Sequence, residues 1–112
     1  MSECIFCQIV SGKIPSEKVY EDEQVLAFKD INPKAPVHIL VIPKKHIPTL
    51  NDIEAEDAQL IGRIHLAIKE IAARLGFAGY GYNVINNCGA GAGQIVFHIH
   101  FHLLSGAKAL NL

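Results

Sequence analysis

The 112-residue sequence predicts an α+β domain in which one long helix covers a largely antiparallel sheet of about five strands. Three observations support this prediction: short apolar runs between polar turns, one long segment with helical periodicity, and two strand-like runs joined by a glycine-rich turn. A single hydrophobic core is normally complete at roughly 100 to 150 residues. Residues 1–112 are therefore expected to form one domain.

The first predicted element is a short N-terminal helix, which Gly12 and the following Pro15 bring to an end. Its apolar residues share one helical face: Ile5, Phe6, Ile9 and Val10. Residues 19–20 and 25–28 come next as two short apolar runs on either side of a polar stretch. This pattern predicts a hairpin of two strands.

A third strand is predicted over residues 37–42, between two prolines. Its side chains are apolar on both faces apart from His38, so we expect a strand that is buried on both sides. Strand alternation places His38 on the same face as Leu40 and Ile42.

The long helix has the clearest pattern, because apolar residues recur at steps of three and four. These residues are Leu60, Ile61, Ile64, Ile68, Ile71 and Leu75. Asn51 or Asp52 is expected to cap its start, and Gly76 stands where a C-terminal cap belongs.

The last two strands are predicted at residues 80–87 and 96–104, joined by the glycine-rich turn of residues 89–93. In the second strand, alternation sends one set of side chains into the core: Phe97, Ile99, Phe101 and Leu103. The opposite face then carries three histidines: His98, His100 and His102. Such a row can bind phosphate, attack as a nucleophile, shuttle protons or ligate a metal, and spacing alone leaves these choices open.

Composition narrows the class of partner. Ten Lys and Arg against 11 Asp and Glu give a net charge of -1, so the overall field does not attract nucleic acid polymers. No apolar run approaches the ~18 to 20 residues that span a bilayer, and the N-terminus lacks the basic start of a signal peptide. Three cysteines, two of them in a Cys-x-x-Cys step, favour a reducing compartment. We therefore expect a cytoplasmic protein that uses neither membrane nor nucleic acid.

Residues 97–104, Phe-His-Ile-His-Phe-His-Leu-Leu, resemble the His-φ-His-φ-His-φφ signature of the histidine triad (HIT) superfamily. The resemblance extends upstream to residues 28–33 and 35–46 and is closest to the histidine triad nucleotide-binding (HINT) branch. Members of that branch are homodimers that hydrolyse purine nucleoside phosphoramidates through a nucleotidyl-histidine. The resemblance therefore implies a hydrolase for AMP derivatives, a dimer with a ten-stranded sheet, and no organic cofactor.

The resemblance also assigns roles to individual residues. His100 matches the nucleophile, whose far ring nitrogen is held by a backbone carbonyl of the same strand. His38 and His102 match the histidines that contact phosphate and support proton transfer. The implied nucleotide-binding residues are Asp30 for the ribose hydroxyls, Ile31 for the base, and Asn87, Gly93, Gln94, His100 and His102 around the phosphate. Without the family, Asp30 would be interpreted as an ordinary turn aspartate.

A structural zinc ion is implied at four residues: Cys4, Cys7, His46 and His98. A Cys-x-x-Cys step places two thiolates within reach of one zinc ion, which requires two further ligands. By itself the step is also typical of a redox pair or of two small buried residues.

Three other functions stay open at this point. One is a dinucleoside polyphosphate hydrolase, and another is a zinc enzyme whose metal lies on the triad itself. The third is a zinc-stabilised nucleotide-binding module with little turnover. It is suggested by Ile95, where the family usually has a serine or another polar residue.

Overall fold

The computed structural model describes residues 3–106 and confirms the α+β fold. The helices are α1 (Ile5–Val10) and α2 (Ala58–Leu75), and the strands are β1 (Lys18–Glu21), β2 (Val25–Lys29), β3 (Val37–Pro43), β4 (Asn83–Ile85) and β5 (Phe101–Ser105). The strands form one antiparallel sheet in the order β1-β2-β3-β5-β4. Residues 1–2 and 107–112, the ends of the predicted domain, lie outside the described residues.

The sheet separates two apolar clusters. The larger one packs α2 against the sheet, with Ile64, Ile68 and Ile71 against Val25, Ala27, Ile39, Val41, Phe101 and Leu103. The smaller one packs Phe6 and Ile9 of α1 against Leu26, Phe28, Leu40 and Ile42 on the other face. Since neighbouring strand residues point to opposite faces, a strand between two clusters is expected to be apolar on both faces. The prediction for residues 37–42 is confirmed, and His38 lies on the α1 face.

The start of α2 differs from the prediction. Two 3-10 turns precede the helix, and the Thr49 side chain caps the first of them by accepting the N–H of Asn51. The α-helix itself begins only after Asp57. A cap of α2 at Asn51 or Asp52 is therefore wrong, because a Thr–Asp capping box uses Asp52 to close the earlier turn instead.

The end of α2 is as predicted. Gly76 has φ 85°, a left-handed conformation that favours glycine, and its N–H bonds to the carbonyls of the last helical turn. The apolar stripe faces the core except at Leu75, which is about half exposed at the helix end. Within residues 3–106, no helix is both long and apolar enough to cross a bilayer.

The last two strands are shorter than predicted. β4 covers three residues of the predicted 80–87, and β5 begins at Phe101 rather than at residue 96. Residues 96–100 run outside the strand ladder, where the N–H of Ile99 bonds to the carbonyl of Ile47 at 2.6 Å. Strand alternation does not apply there, so Phe97 is 44% exposed and not in the core.

Candidate active site and metal group

Four histidines converge beneath α1. His38 comes from β3, His102 from β5, and His98 and His100 from the segment just before β5. The ring centroid of His102 lies 5.2 Å from that of His38 and 5.1 Å from that of His100. Phe6 packs its ring edge-on against His98 and His100. The shared face predicted for the three triad histidines is not a solvent-exposed surface, because His98 and His100 are buried and His98 is turned toward the cysteines.

His100 has a defined tautomer. Its Nδ1 lies 2.8 Å from the backbone carbonyl oxygen of His98, which can only accept a hydrogen bond. Nδ1 therefore carries the hydrogen, and Nε2 carries the free lone pair. Burial lowers the pKa of His100, so the ring is neutral near pH 7. A neutral imidazole with a free Nε2 is the form that can attack an electrophile.

A chain of three groups fixes the tautomers of His38 and His102. The backbone N–H of Lys34 donates to Nδ1 of His38 at 3.0 Å, so the hydrogen of that ring is on Nε2. Nε2 of His38 lies 3.0 Å from Nδ1 of His102 and donates to it. His102 must then carry its own hydrogen on Nε2, which makes this nitrogen a donor.

Both rings are held neutral. Burial lowers the pKa of His38, against the raising effect of the Asp30 carboxylate, whose Oδ2 lies 3.5 Å from Nε2 of His38. Burial, with smaller contributions from His100 and His38, lowers the pKa of His102 to about 4. The site thus combines a lone pair on His100 with an N–H donor on His102, without a formal charge on either ring.

The same tautomers bear on a metal at the triad. Asp30, His38 and His102 offer ligand atoms that lie within 4.8 Å of one another. A neutral imidazole ligates through its lone pair, and in His38 that lone pair is on Nδ1, where it accepts the Lys34 N–H. Metal binding at Nε2 of His38 would have to break this bond, so the geometry disfavours a metal on the triad.

The residues expected at the ribose and base lie at the end of β2. Asp30 is partly buried, and its Oδ1 accepts the backbone N–H of Asn32 at 2.7 Å. Next to it, Ile31 is 92% exposed, a large apolar side chain fully presented to solvent. A carboxylate thus stands beside an exposed apolar surface.

The residues expected around the phosphate lie in the loop between β4 and β5. Asn87 donates from Nδ2 to the carbonyl of Ala92 at 2.9 Å, and Gly93 has φ 94°. The buried Gln94 amide accepts the N–H of Gly89 and donates to the carbonyls of residues 48 and 96. Since both of its N–H hydrogens bond to the backbone, Gln94 shapes this loop through its side chain.

A second group gathers the predicted metal ligands. Ligand atoms of Cys4, Cys7, His46 and His98 all lie within 4.8 Å of one another. Sγ of Cys4 is 3.5 Å from Nδ1 of His98, and Sγ of Cys7 is 3.3 Å from Nδ1 of His46. Two thiols and two imidazoles are a donor set that zinc takes in tetrahedral structural sites.

The tautomer of His98 suits this role. Its Nε2 lies 2.7 Å from the carbonyl oxygen of Pro43 and donates to it, which leaves the Nδ1 lone pair directed at the sulfurs. Burial, followed by the neighbouring Cys4, raises the pKa of the Cys7 thiol. A metal ion would therefore have to displace a proton from Cys7 on binding.

Known proteins resemble this chain over almost its whole length. The family model described as "Scavenger mRNA decapping enzyme C-term binding" matches residues 3–111. The purine nucleoside phosphoramidase of Escherichia coli strain K12 is 49% identical over 104 residues, which cover 93% of this chain and 87% of that protein. The structure of a histidine triad protein from Clostridium difficile matches with a TM-score of 0.96 and 52% identity, covering 100% of this chain and 97% of the other.

The chain belongs to the histidine triad family. A HIT family hydrolase from Legionella pneumophila matches with a TM-score of 0.92 and 46% identity, covering 95% of each chain. The resemblance of residues 97–104 to the histidine triad signature is therefore confirmed. The chain's relatives in the family thus include a phosphoramidase and a HIT family hydrolase.

Four groups that shape the site of this HIT chain are not among the residues that its sequence predicts. The Lys34 N–H and the Pro43 carbonyl act through the main chain, which no side-chain pattern reveals. Phe6 was recognised as apolar, but its contact with the His100 ring depends on how α1 docks. The fourth group is Asn86, which donates to the backbone carbonyl of His100 and whose one signal in the sequence is its place beside Asn87.

Proposed function

We propose that this HIT-family hydrolase cleaves the bond between the α-phosphate of a purine nucleotide, such as an AMP phosphoramidate, and its leaving group. The observation that carries the proposal is the pair of opposite tautomers, a free lone pair on Nε2 of His100 beside an N–H on Nε2 of His102. A nucleophile and a hydrogen-bond donor are what displacement at phosphorus requires.

In the first step Nε2 of His100 attacks the phosphorus, and the P–N bond to the amine breaks with its electron pair on nitrogen. The amine takes a proton from water, and the hydroxide so formed attacks the nucleotidyl-histidine. The P–N bond to His100 then breaks, which releases AMP and restores the neutral ring. In the nucleotidyl-histidine the His100 ring is positively charged, so its hydrogen bond from Nδ1 to the His98 carbonyl becomes stronger than in the free enzyme.

The remaining histidines act around this step. His102 donates from Nε2 to an oxygen or leaving atom on which negative charge develops. His38 acts through His102, since its Nδ1 is occupied by the Lys34 N–H and its Nε2–H holds the neighbouring ring. Asp30 would accept the ribose hydroxyls, and the exposed Ile31 would cover a purine face.

We propose that Cys4, Cys7, His46 and His98, here called the cysteine–histidine group, hold a structural zinc ion. The donor set and the Pro43 carbonyl behind His98 support this role. The ion would join α1, which covers His100, to the segment that carries the triad.

We also propose a homodimer formed through β4, in a cytoplasmic protein. β4 lies at the edge of the sheet, and apolar surface is exposed at Val84 in this strand, at Tyr80 just before it and at Leu66 on α2. Light scattering at micromolar concentration should give twice the chain mass, and a monomer mass would contradict the dimer.

The deciding experiment is a single-turnover reaction with an adenosine phosphoramidate, followed by mass spectrometry of the protein. An adenylyl adduct on His100 supports the hydrolase. Binding without adduct favours the binding module, a function suggested by Ile95, which is 88% exposed and offers no donor. A parallel reaction with a dinucleoside polyphosphate distinguishes the other hydrolase, since the substrate with the higher kcat/KM identifies the branch.

A further inference from the structure

Asn86 bonds to the main chain of His100. The backbone pairing of β4 with β5 includes Ile85 opposite His102, and Asn86 is the next residue along the chain. Its side-chain Nδ2 donates to the carbonyl oxygen of His100 at 2.9 Å. A carbonyl can only accept, so the amide must point its nitrogen, and not its oxygen, at His100.

This bond takes the place of a ladder bond where the strand pairing ends. His100 lies in the segment that runs outside the ladder, and its ring is anchored to the carbonyl of His98 two residues earlier. Asn86 thus anchors the main chain of the same residue from the β4 side. One hydrogen bond, from the Asn86 side chain, therefore holds the main chain of His100. A second, to the His98 carbonyl, holds its ring.

The other end of the Asn86 amide has no such bond. Its Oδ1 is buried and makes no hydrogen bond within residues 3–106. Burying an unpaired acceptor destabilises a fold, and a leucine of similar size would pack at this position without that penalty. Shape alone therefore does not account for an asparagine at this position, whereas its N–H donor does.

We propose that Asn86 is a positioning residue for His100, one that holds the nucleophile's main chain so that Nε2 stays in line for attack. The catalytic part of this inference rests on the proposed function. A misplacement of the reacting atoms by a fraction of an ångström slows the chemical step while ligand binding persists.

The test compares Asn86→Leu, which keeps the size but has no donor, with Asn86→Asp, which keeps the shape but turns an acceptor toward the His100 carbonyl. Asn51→Asp makes the same chemical change at an exposed position of the first 3-10 turn and serves as the control. The single-turnover adenylylation rate should fall about tenfold in Asn86→Leu and further in Asn86→Asp, with the affinity for AMP changed less than about twofold. The control should keep the wild-type rate.

A second readout does not depend on the reaction. Nitrogen-15 NMR of the imidazole rings should show one tautomer for His100 in the wild type, and shifted or broadened His100 signals in both Asn86 variants. Wild-type adenylylation rates in both variants would overturn the proposal, as would equal losses of rate and AMP affinity. If the wild type itself forms no adduct, the proposed function fails, while unchanged His100 signals in the variants would still overturn the role of Asn86.

Discussion

Acid should destabilise this protein through His102. Burial lowers its pKa from 6.5 to about 4 in the native state, whereas the unfolded chain returns the ring to its ordinary value. Between these two values the unfolded chain binds a proton that the native chain does not. The contribution of this ring to stability is therefore fully present above pH 6.5 and is lost progressively as the pH falls toward 4.

The size of the effect follows from the two pKa values. At pH 4.5, linkage predicts a loss of about 2.5 kcal/mol from the free energy of unfolding, and the limit below pH 4 is about 3.4 kcal/mol. Native domains are stable by roughly 5–15 kcal/mol, so the loss from this one ring is a large fraction of a typical domain's stability.

Urea unfolding followed by circular dichroism at pH 7 and pH 4.5 measures this loss. His102→Gln keeps a donor and an acceptor but cannot ionise, so the wild type should lose about 2.5 kcal/mol more than this variant. Release of a metal by acid would affect both proteins and cancel in the difference. His65→Gln removes an imidazole from the exposed side of α2 and controls for the change in composition. Equal losses in wild type and His102→Gln would refute the reasoning.

Three other outcomes are expected. His100→Ala should lower turnover by several powers of ten while AMP binding measured by calorimetry persists, and a variant with a tenth of wild-type activity would contradict the nucleophile. Purified protein should carry about one zinc per chain by elemental analysis. The double variant Cys4→Ser, Cys7→Ser should lose more in melting temperature than in the activity of the folded fraction. Wild type that is free of metal when prepared without chelator would contradict the zinc site. Ile95→Ser should raise kcat about ten- to a hundredfold on a phosphoramidate with a poor amine leaving group, because a hydroxyl donor is worth roughly 1 to 3 kcal/mol there. Equal rates would show either that another donor fills the role or that the chemical step does not limit turnover.

Much of the fold was predictable where periodicity and tertiary packing agree. Residues 37–42, apolar apart from His38 and bounded by prolines, predict a strand between two apolar layers, and the stripe of α2 predicts a face turned to a core. The start of the last strand was not predictable. The residues before β5 leave the sheet because the N–H of Ile99 bonds to the carbonyl of Ile47, a residue 52 positions away in the chain. Local alternation continues past that point in the sequence, and this is why Phe97 was wrongly placed in the core.

The membership of the site was more predictable than its chemistry. The Cys-x-x-Cys step together with the family resemblance implied the four residues that the structure brings together, Cys4, Cys7, His46 and His98. The protonation of each ring depends on which backbone group it meets, such as the N–H of Lys34 or the carbonyl of His98. Those partners are fixed by tertiary structure, so the division between lone pair and donor could not be derived from the sequence.

The cysteine–histidine group also has a consequence for the chain as a polymer. Cys4 and His98 are 94 residues apart, so a metal bound by both would convert most of the chain into one closed ring. Cross-linking a loop of about 100 residues removes denatured-state entropy worth roughly 4.7 kcal/mol in the simplest model, far more than a local clip would. Contacts between such distant segments are expected to form late in folding. Phe6 packs against the imidazole of His100 and lies between Cys4 and Cys7, at one end of the closed chain loop. If a metal closes this loop, the α1 helix should cover His100 only in the last stage of folding, and a chelator that removes the metal should uncover His100 first.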